Sequence, residues 1–382
     1  MSRRFVSTDV VGAARRGCFS TRRGTFQTPT FMPVGTRGSV KGVDVERLAE
    51  CGAEVMLVNT YHLWLRPGHE RVKRLGGIHG FTGWNGPILS DSGGFQVFSL
   101  KSIRTISEEG IEFRSHIDGS KQFLSPEKSI EIQQTLGVDI AMALDECPAS
   151  NLSFEAFERS LEMTHRWAKR SLAARADESM CMFGITQGGC HRALRTRSAE
   201  QIGAIPFEGY AIGGLSVGEP KTAMYEVLSY HVDQLPVDAV HYLMGVGTPE
   251  DIVEAVSRGV DMFDCVMPTR SGRFGRVFVE ADEPFFNIKN ARHADDSSPI
   301  DSSCSCLACR HHSRAYIQHL FKVGEMLGPQ LASIHNLTHY LNLMARIRRS
   351  LEEGTFESLY SAIKARWSRF DFHQMAGEGS VA

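Results

Sequence analysis

Short apolar runs rich in β-branched residues recur along the chain, each closing on a polar residue or a glycine. They lie at residues 30–34, 55–59, 87–90, 138–144, 181–186, 209–212, 240–244 and 260–263. Bounded in this way, they predict strands. Amphipathic stretches fill most of the gaps. Residues 43–51 form one. Residues 126–136 form another, with Ser125 placed to cap it and Pro126 at its first position. Phe154, Phe157, Leu161, Thr164 and Ala168 share one face of a third. Residues 192–202, 222–234 and 249–257 follow, the last beginning at a capping Thr248. Eight strands alternating with helices predict an α/β fold, a (β/α)8 TIM barrel. An open doubly wound sheet would use the same alternation. The strand ends favour the barrel, because Asn59, Asp91, Asp145, Gln187, Gly214, Met244 and Asp264 would then meet at one mouth.

Two segments break the rhythm. Residues 101–125 carry Glu109-Gly110 and Asp118-Gly119 around an alternating run, which predicts an inserted β-hairpin. The first 29 residues alternate as short strands and turns suited to covering the barrel bottom. The barrel is therefore expected to span 1–280. A second unit is expected at 281–370, with helices near 328–352 and 357–369, and a frayed tail at 371–382. The chain's 382 residues, 42% hydrophobic and 23% charged, are enough for one large core. A net charge of −2 excludes a generally basic nucleic-acid coat. Any such contact needs a local patch, and Arg270, Arg273 and Arg276, or Arg346, Arg348 and Arg349, are the densest. Nothing resembles a signal peptide or a membrane span, and the cysteine pattern suits a reducing compartment, so a cytoplasmic protein is expected.

Chemistry concentrates at two aspartates. Asp264 ends an apolar run and precedes Pro268 and the guanidiniums of Arg270 and Arg273, read as a Gly/Ser loop. Asp91 ends another run, in Ser90-Asp91-Ser92-Gly93-Gly94-Phe95. Paired strand-end carboxylates are the raw material of double displacement at a sugar carbon. Their plainer use is to cap the next element or close an Asx-turn. Separately, Cys304, Cys306 and Cys309 lie within six residues. Three thiolates so spaced can converge on one tetrahedral ion, with a fourth ligand from downstream. Among the histidines there, His311 and His312 are too close in a tight knuckle. His335 or His339 could fold back.

Taken in order, Ser90 to Gln96, Leu144-Asp145-Glu146-Cys147, Gln187-Gly188-Gly189, Gly213 to Glu219, Met244-Gly245-Val246-Gly247, Phe263 to Arg273 and the cysteine knuckle resemble the bacterial queuine/tRNA-guanine transglycosylase family. The likeness runs from about residue 5 to about 370. It implies a homodimeric pentosyltransferase with a C-terminal zinc-binding subdomain holding one structural Zn2+ per subunit on Cys304, Cys306, Cys309 and His335. The implied reaction exchanges guanine at the anticodon wobble position (34) of GUN-anticodon tRNAs for 7-aminomethyl-7-deazaguanine (preQ1), in queuosine biosynthesis. It proceeds through a covalent enzyme–RNA intermediate. Asp264 matches the nucleophile and Asp91 the general acid/base. Asp91, Ser92, Gly93, Gly94, Phe95, Asp145, Gln187, Gly214, Leu215 and Met244 match the base site. Asp145 would accept from the purine donors, Gln187 and the Gly214 N–H would donate to O6, and Phe95 and Met244 would sandwich the ring. Val217 stands where queuine-using eukaryotic members have glycine, which implies the smaller base. Gly245, Val246, Gly247, Thr248, Pro249, Glu250 and Asp251, then Thr269, Arg270, Ser271, Gly272 and Arg273, match RNA-contacting segments around the flipped nucleotide.

Three other classes use parts of the same pattern. A phosphate-binding barrel lyase or aldolase would use Gly188-Gly189 and Gly213-Gly214, but no strand ends on a Schiff-base lysine and the paired aspartates go unexplained. A glycoside hydrolase would use both acids with water as acceptor. A non-catalytic RNA-binding subunit would not need both Asp91 and Asp264.

Overall fold

The computed structural model describes residues 4–99, 104–149 and 152–370. The tail expected to fray, 371–382, and the start of the insertion, 101–103, lie outside them. All eight expected strands form. After β1 (Phe5–Val11), β2 (Ala14–Thr21) and β3 (Gly24–Thr28) come β4 (Thr30–Met32), β5 (Met56–Val58) and β6 (Ile88–Ser90). The insertion holds β7 (Arg104–Ile106), β8 (Ile111–Arg114) and β9 (Lys121–Leu124). Then follow β10 (Ile140–Met142), β11 (Cys181–Thr186), β12 (Gly209–Ile212), β13 (Val240–Leu243) and β14 (Met262–Asp264), and last β15 (Arg276–Phe278) and β16 (Phe285–Asn287). The parallel sheet runs β4-β14-β13-β12-β11-β10-β6-β5. A parallel bridge from Val34 to Leu57 joins its two ends, so the sheet is a barrel.

Alternation along each strand decides what faces inward. Met32, Leu57, Leu89, Ile140, Met142, Phe183, Ile185, Ala211, Tyr242 and Met262 fill the interior. Their neighbours Phe31, Met56, Ile88, Met182, Ile212, Leu243 and Phe263 face the helices. The inner parity continues past the strand ends to Asn59, Asp91, Gln187 and Met244 and includes Asp264 at the end of β14, so these residues project into the mouth.

The N-terminal strands close the opposite end as expected. Phe5, Phe19 and Phe26 join the interior cluster, and Phe19 meets Phe183 edge-on at 5.5 Å. Arg15 ties this sheet down, with Nη2 2.6 Å from buried Asp261 and 2.7 Å from the Ala239 carbonyl.

The structure departs from the sequence reading in several places. The insertion is a three-stranded antiparallel meander, not one hairpin, because each turn signal closes its own hairpin, Ser107 to Gly110 and Ser115 to Gly119. Short helices Thr60–Leu65, His69–Arg74, Gly77–Thr82 and Gly94–Ser99 were not expected; six residues are too few to display a period. Phe154 is exposed although Phe157, Leu161, Thr164 and Ala168 on its helix are buried. Residues Met267–Arg273 form a helix, not a loop. Pro268 is tolerated in its first turn. Gly272 packs so close to the long helix Leu327–Glu352 that an added Cβ would lie 2.7 Å from the Ser333 nitrogen.

Arg346 and Arg348 are structural. Arg346 pairs with Glu280 at 2.7 Å and Arg348 bonds the Pro29 carbonyl at 2.9 Å. No helix among the described residues is long and apolar enough to cross a membrane.

Candidate active site

The strand ends surround a cavity of about 360 Å3, within the range of small-molecule sites. Asp91, Ser92, Gly93, Phe95, Asp145, Gln187, Gly214, Leu215, Met244, Gly245 and Asp264 all line it. The two expected carboxylates thus share one chamber. Gly94 lies just behind, against Leu144 and the Asp145 carbonyl.

Asp91 does close an Asx-turn, with the Gly93 N–H donating to Oδ1 at 3.1 Å. That carboxylate is also held from the two residues that follow β5. The Thr60 N–H donates to Oδ1 at 2.9 Å, and the Asn59 amide donates to Oδ2. Burial nevertheless pushes Asp91 up to about 7, against those N–H donors and with the Asp264 charge adding to the rise. Asp264 accepts from the Tyr242 hydroxyl at 2.6 Å and from the Gly245 N–H at 2.8 Å, both on Oδ1. Burial raises it, and these two bonds oppose the rise. A strained pair of acids with one near neutrality is the signature of acid–base work.

Across the cavity, Gln187 Nε2 donates to Asp145 Oδ2 at 2.7 Å. Burial pushes Asp145 up to about 6. The Gln187 Oε1 atom is buried without a partner. Gly213 and Gly214 leave room for this amide, since a Cβ on either would strike it. Arg195, fully buried, grips the loops behind. It donates to the Gly189 carbonyl at 2.7 Å and the Gly213 carbonyl at 2.8 Å. Glu219 accepts from the Ser216 and Val217 N–H groups, so the trans peptide before Ser216 directs the Leu215 carbonyl the other way. Phe95, 57% exposed, and Met244 supply apolar walls.

The expected RNA-contacting segments divide. Gly245 is exposed, but Val246, Gly247, Pro249 and Glu250 are buried, and Thr248 caps the helix Pro249–Ser257 by accepting from the Asp251 N–H. Glu250 and Asp251 bind Lys221 at 2.6 and 2.8 Å. This segment borders a second hollow of about 910 Å3 that meets the first at Ser216, Gly245 and Cys265. In the other segment Thr269 and Gly272 are buried, Ser271 and Arg273 half-buried and Arg270 exposed. Thr60, Tyr242 and Arg195 were not singled out from the sequence; Asn59 was expected only as a strand end at the mouth, and Glu219 only as the close of the Gly213–Glu219 run. Inward parity, two residues before Met244, was the one available signal for Tyr242.

Cys304, Cys306, Cys309 and His335 form a cluster that could hold a metal, their ligating atoms all within 4.8 Å of one another. His335 Nδ1 is 3.6 Å from Cys306 Sγ and 3.3 Å from Cys309 Sγ. Tetrahedral zinc with ordinary arm lengths needs edges of about 3.5 Å. His335 Nε2 lies 2.6 Å from the Phe278 carbonyl, which fixes the proton there and frees Nδ1 for a metal. His339 is outside the cluster, stacked on Phe278.

A family model described as Queuine tRNA-ribosyltransferase matches residues 9–369. The chain is 52% identical to the queuine tRNA-ribosyltransferase of Pseudomonas putida over 366 residues, 96% of this chain and 98% of that one. It is 53% identical to that of Symbiobacterium thermophilum over 360 residues, 94% and 90%. Against that of Pseudomonas aeruginosa the figure is 50% over 366 residues, 96% and 97%.

Proposed function

The chain belongs to the queuine tRNA-ribosyltransferase family, and from that premise we propose that it exchanges guanine at wobble position 34 of GUN-anticodon tRNAs for preQ1, by two displacements at C1′. The observation that carries this reading is the pairing of Asp91 and Asp264 in one chamber, facing a polar amide–carboxylate wall. The Asp264 carboxylate attacks C1′ as the C1′–N9 bond breaks, and the bonding pair leaves with guanine. Both hydrogen bonds on Asp264 fall on Oδ1, so Oδ2 is the attacking atom. Asp91, near neutrality, protonates the departing base. In the second half it takes the N9 proton of the incoming base, whose nitrogen then displaces Asp264. The ribose is never open to water, and two inversions retain the anomer.

Asp145 accepts from the purine N1–H and amine. Gln187 keeps one amide hydrogen for O6 beside the Gly214 N–H, and Phe95 and Met244 enclose the ring. The Leu215 carbonyl is a ready acceptor for an aminomethyl group, and Val217 leaves little room for a larger one. Ser92 and Gly93 shape the floor, Arg270, Ser271 and Arg273 engage the RNA, and the larger hollow receives a flanking nucleotide. The cluster of Cys304, Cys306, Cys309 and His335 would hold Zn2+, whose bonds tie the knuckle to the long C-terminal helix. It lies outside the catalytic chamber and takes no part in the exchange. A cytoplasmic homodimer completes the reading.

Incubation with tRNA and labelled guanine tests it. Label entering the RNA is expected. Release of guanine with an abasic site left behind would mean hydrolysis instead.

A further inference from the structure

We propose that Phe274 is a stacking platform for an unpaired anticodon-loop base adjoining the exchanged guanosine. This rests on the function proposed above. Phe274 caps the C-terminus of the helix Met267–Arg273, its N–H donating to the Ser271 carbonyl at 3.1 Å. At 63% exposure it is the most exposed phenylalanine among the described residues. Four positions at helical spacing put Phe274 on the same face as exposed Arg270, one turn nearer the chamber.

Cations sit beside this helix end. The Lys289 stem crosses directly over Gly275, near enough that an added Cβ would lie 2.9 Å from it. Arg270 and Arg273 belong to the last turn of the helix itself. Beyond them are Arg37 and Lys41 from the loop after β4. Burial lowers the Lys41 ammonium, and Arg273, Arg37 and Arg270 lower it further, which puts the four in one electrostatic neighbourhood. Arg273 Nη1 is buried without a hydrogen-bond partner. An exposed apolar ring in a neighbourhood of cations, one of them with an unpartnered nitrogen, fits one occupant, a single-stranded nucleic acid. Its phosphates take the charges, and one unstacked base takes the ring. Removal of the flipped guanosine from the loop leaves its neighbours without a stacking partner, and the ring supplies one.

The test compares wild type, Phe274→Ala and Phe274→Trp in labelled-guanine exchange, with an anticodon stem-loop RNA as substrate. The expected result for Phe274→Ala is a KM for RNA raised roughly tenfold, the scale of one lost base–aromatic stack. The KM for guanine and kcat should be unchanged, and Phe274→Trp should restore the wild-type value. Stem-loops with an abasic residue on the 5′ or the 3′ side of the exchanged guanosine identify the base. With one of them the penalty of Phe274→Ala should vanish. An unchanged KM, no rescue by Trp, or a penalty that persists on both abasic RNAs overturns the stacking role. So does conversion to a monomer by Phe274→Ala in sedimentation, which would place the ring between copies of the chain. A wild type that incorporates no guanine overturns the proposed function itself. Incorporation with an unaltered Phe274→Ala overturns only this inference.

Discussion

Asp91 should cost the protein stability, and the cost should depend on pH. Its ordinary value is 3.8, and the fold pushes it up to about 7. Below the lower value both folded and unfolded chains hold the proton, and the site costs nothing. Between the two values the unfolded chain ionises while the fold keeps its proton, so stability falls as pH rises. Above about 7 both are ionised and the loss is complete. Integrated from pH 5 to pH 8, the shift amounts to roughly 2–3 kcal/mol. The carboxylate opens on a wet cavity, and screening reduces this to about 1–2 kcal/mol. Asp91→Asn removes the titration. Its oxygen still accepts from Thr60 and Gly93, but its amide nitrogen meets the Asn59 amide, a pH-independent penalty of about 1 kcal/mol. Urea midpoints of wild type and variant at the two pH values separate these effects. The cysteine cluster, the histidines and Asp145 are common to both proteins and cancel in the difference. The wild type should lose ground to the variant as pH rises. Parallel pH dependence in the two proteins would refute the burial argument, and so would a variant that weakens more steeply.

Asp264→Asn should lower kcat by roughly 10^4-fold or more while leaving the fold intact, and no covalent RNA adduct should survive a denaturing gel; a normal adduct yield would exclude Asp264 as nucleophile. Asp91 must hold its proton to release guanine, so kcat/KM for tRNA should decline above about pH 7, and a flat profile to pH 9 would remove Asp91 from that role. Tyr242→Phe deletes a donor that stabilises the Asp264 anion, so the acidic limb of the same profile should move to higher pH; an unmoved limb would mean that the hydroxyl only packs. Cys306→Ser should abolish zinc content and lower Tm by roughly 5–10 °C, while an unchanged metal-to-protein ratio would place the ion elsewhere.

How much of this was legible follows from period and parity. The barrel strands could be read because each is a short apolar run with a sharp end, and a period of two carries Asp91, Gln187, Met244 and Asp264 into the mouth. The fourth member of the cluster that could hold a metal could not be chosen between His335 and His339 from spacing. Both are buried on one helix, four residues apart, and the choice is made by the Phe278 carbonyl, which takes the proton of His335. The helix at Met267–Arg273 was hidden by Pro, Ser and Gly, residues that argue for a loop when their packing partner is unknown. Here the glycine is the contact surface for Ser333.

The residues that escaped sequence reading share a property. Thr60, Tyr242 and Arg195 act on other residues of the site and carry no motif of their own, and the supporting work of Asn59 and Glu219 could not be read from a strand end or a motif's last position. Asn59 caps the helix Thr60–Leu65 by accepting from the His62 N–H and, with its amide, holds Asp91. One side chain thus fixes both a helix start and the orientation of a carboxylate. The cost of holding two acids in one chamber is met by such neutral donors, Asn59, Thr60 and Gly93 on one and Tyr242 and Gly245 on the other. A cation in their place would hold Asp91 ionised and remove the proton that the proposed exchange draws on. The guanidiniums of Arg270 and Arg273 stand apart on the helix Met267–Arg273, and Asp91 takes its hydrogen bonds from neutral donors.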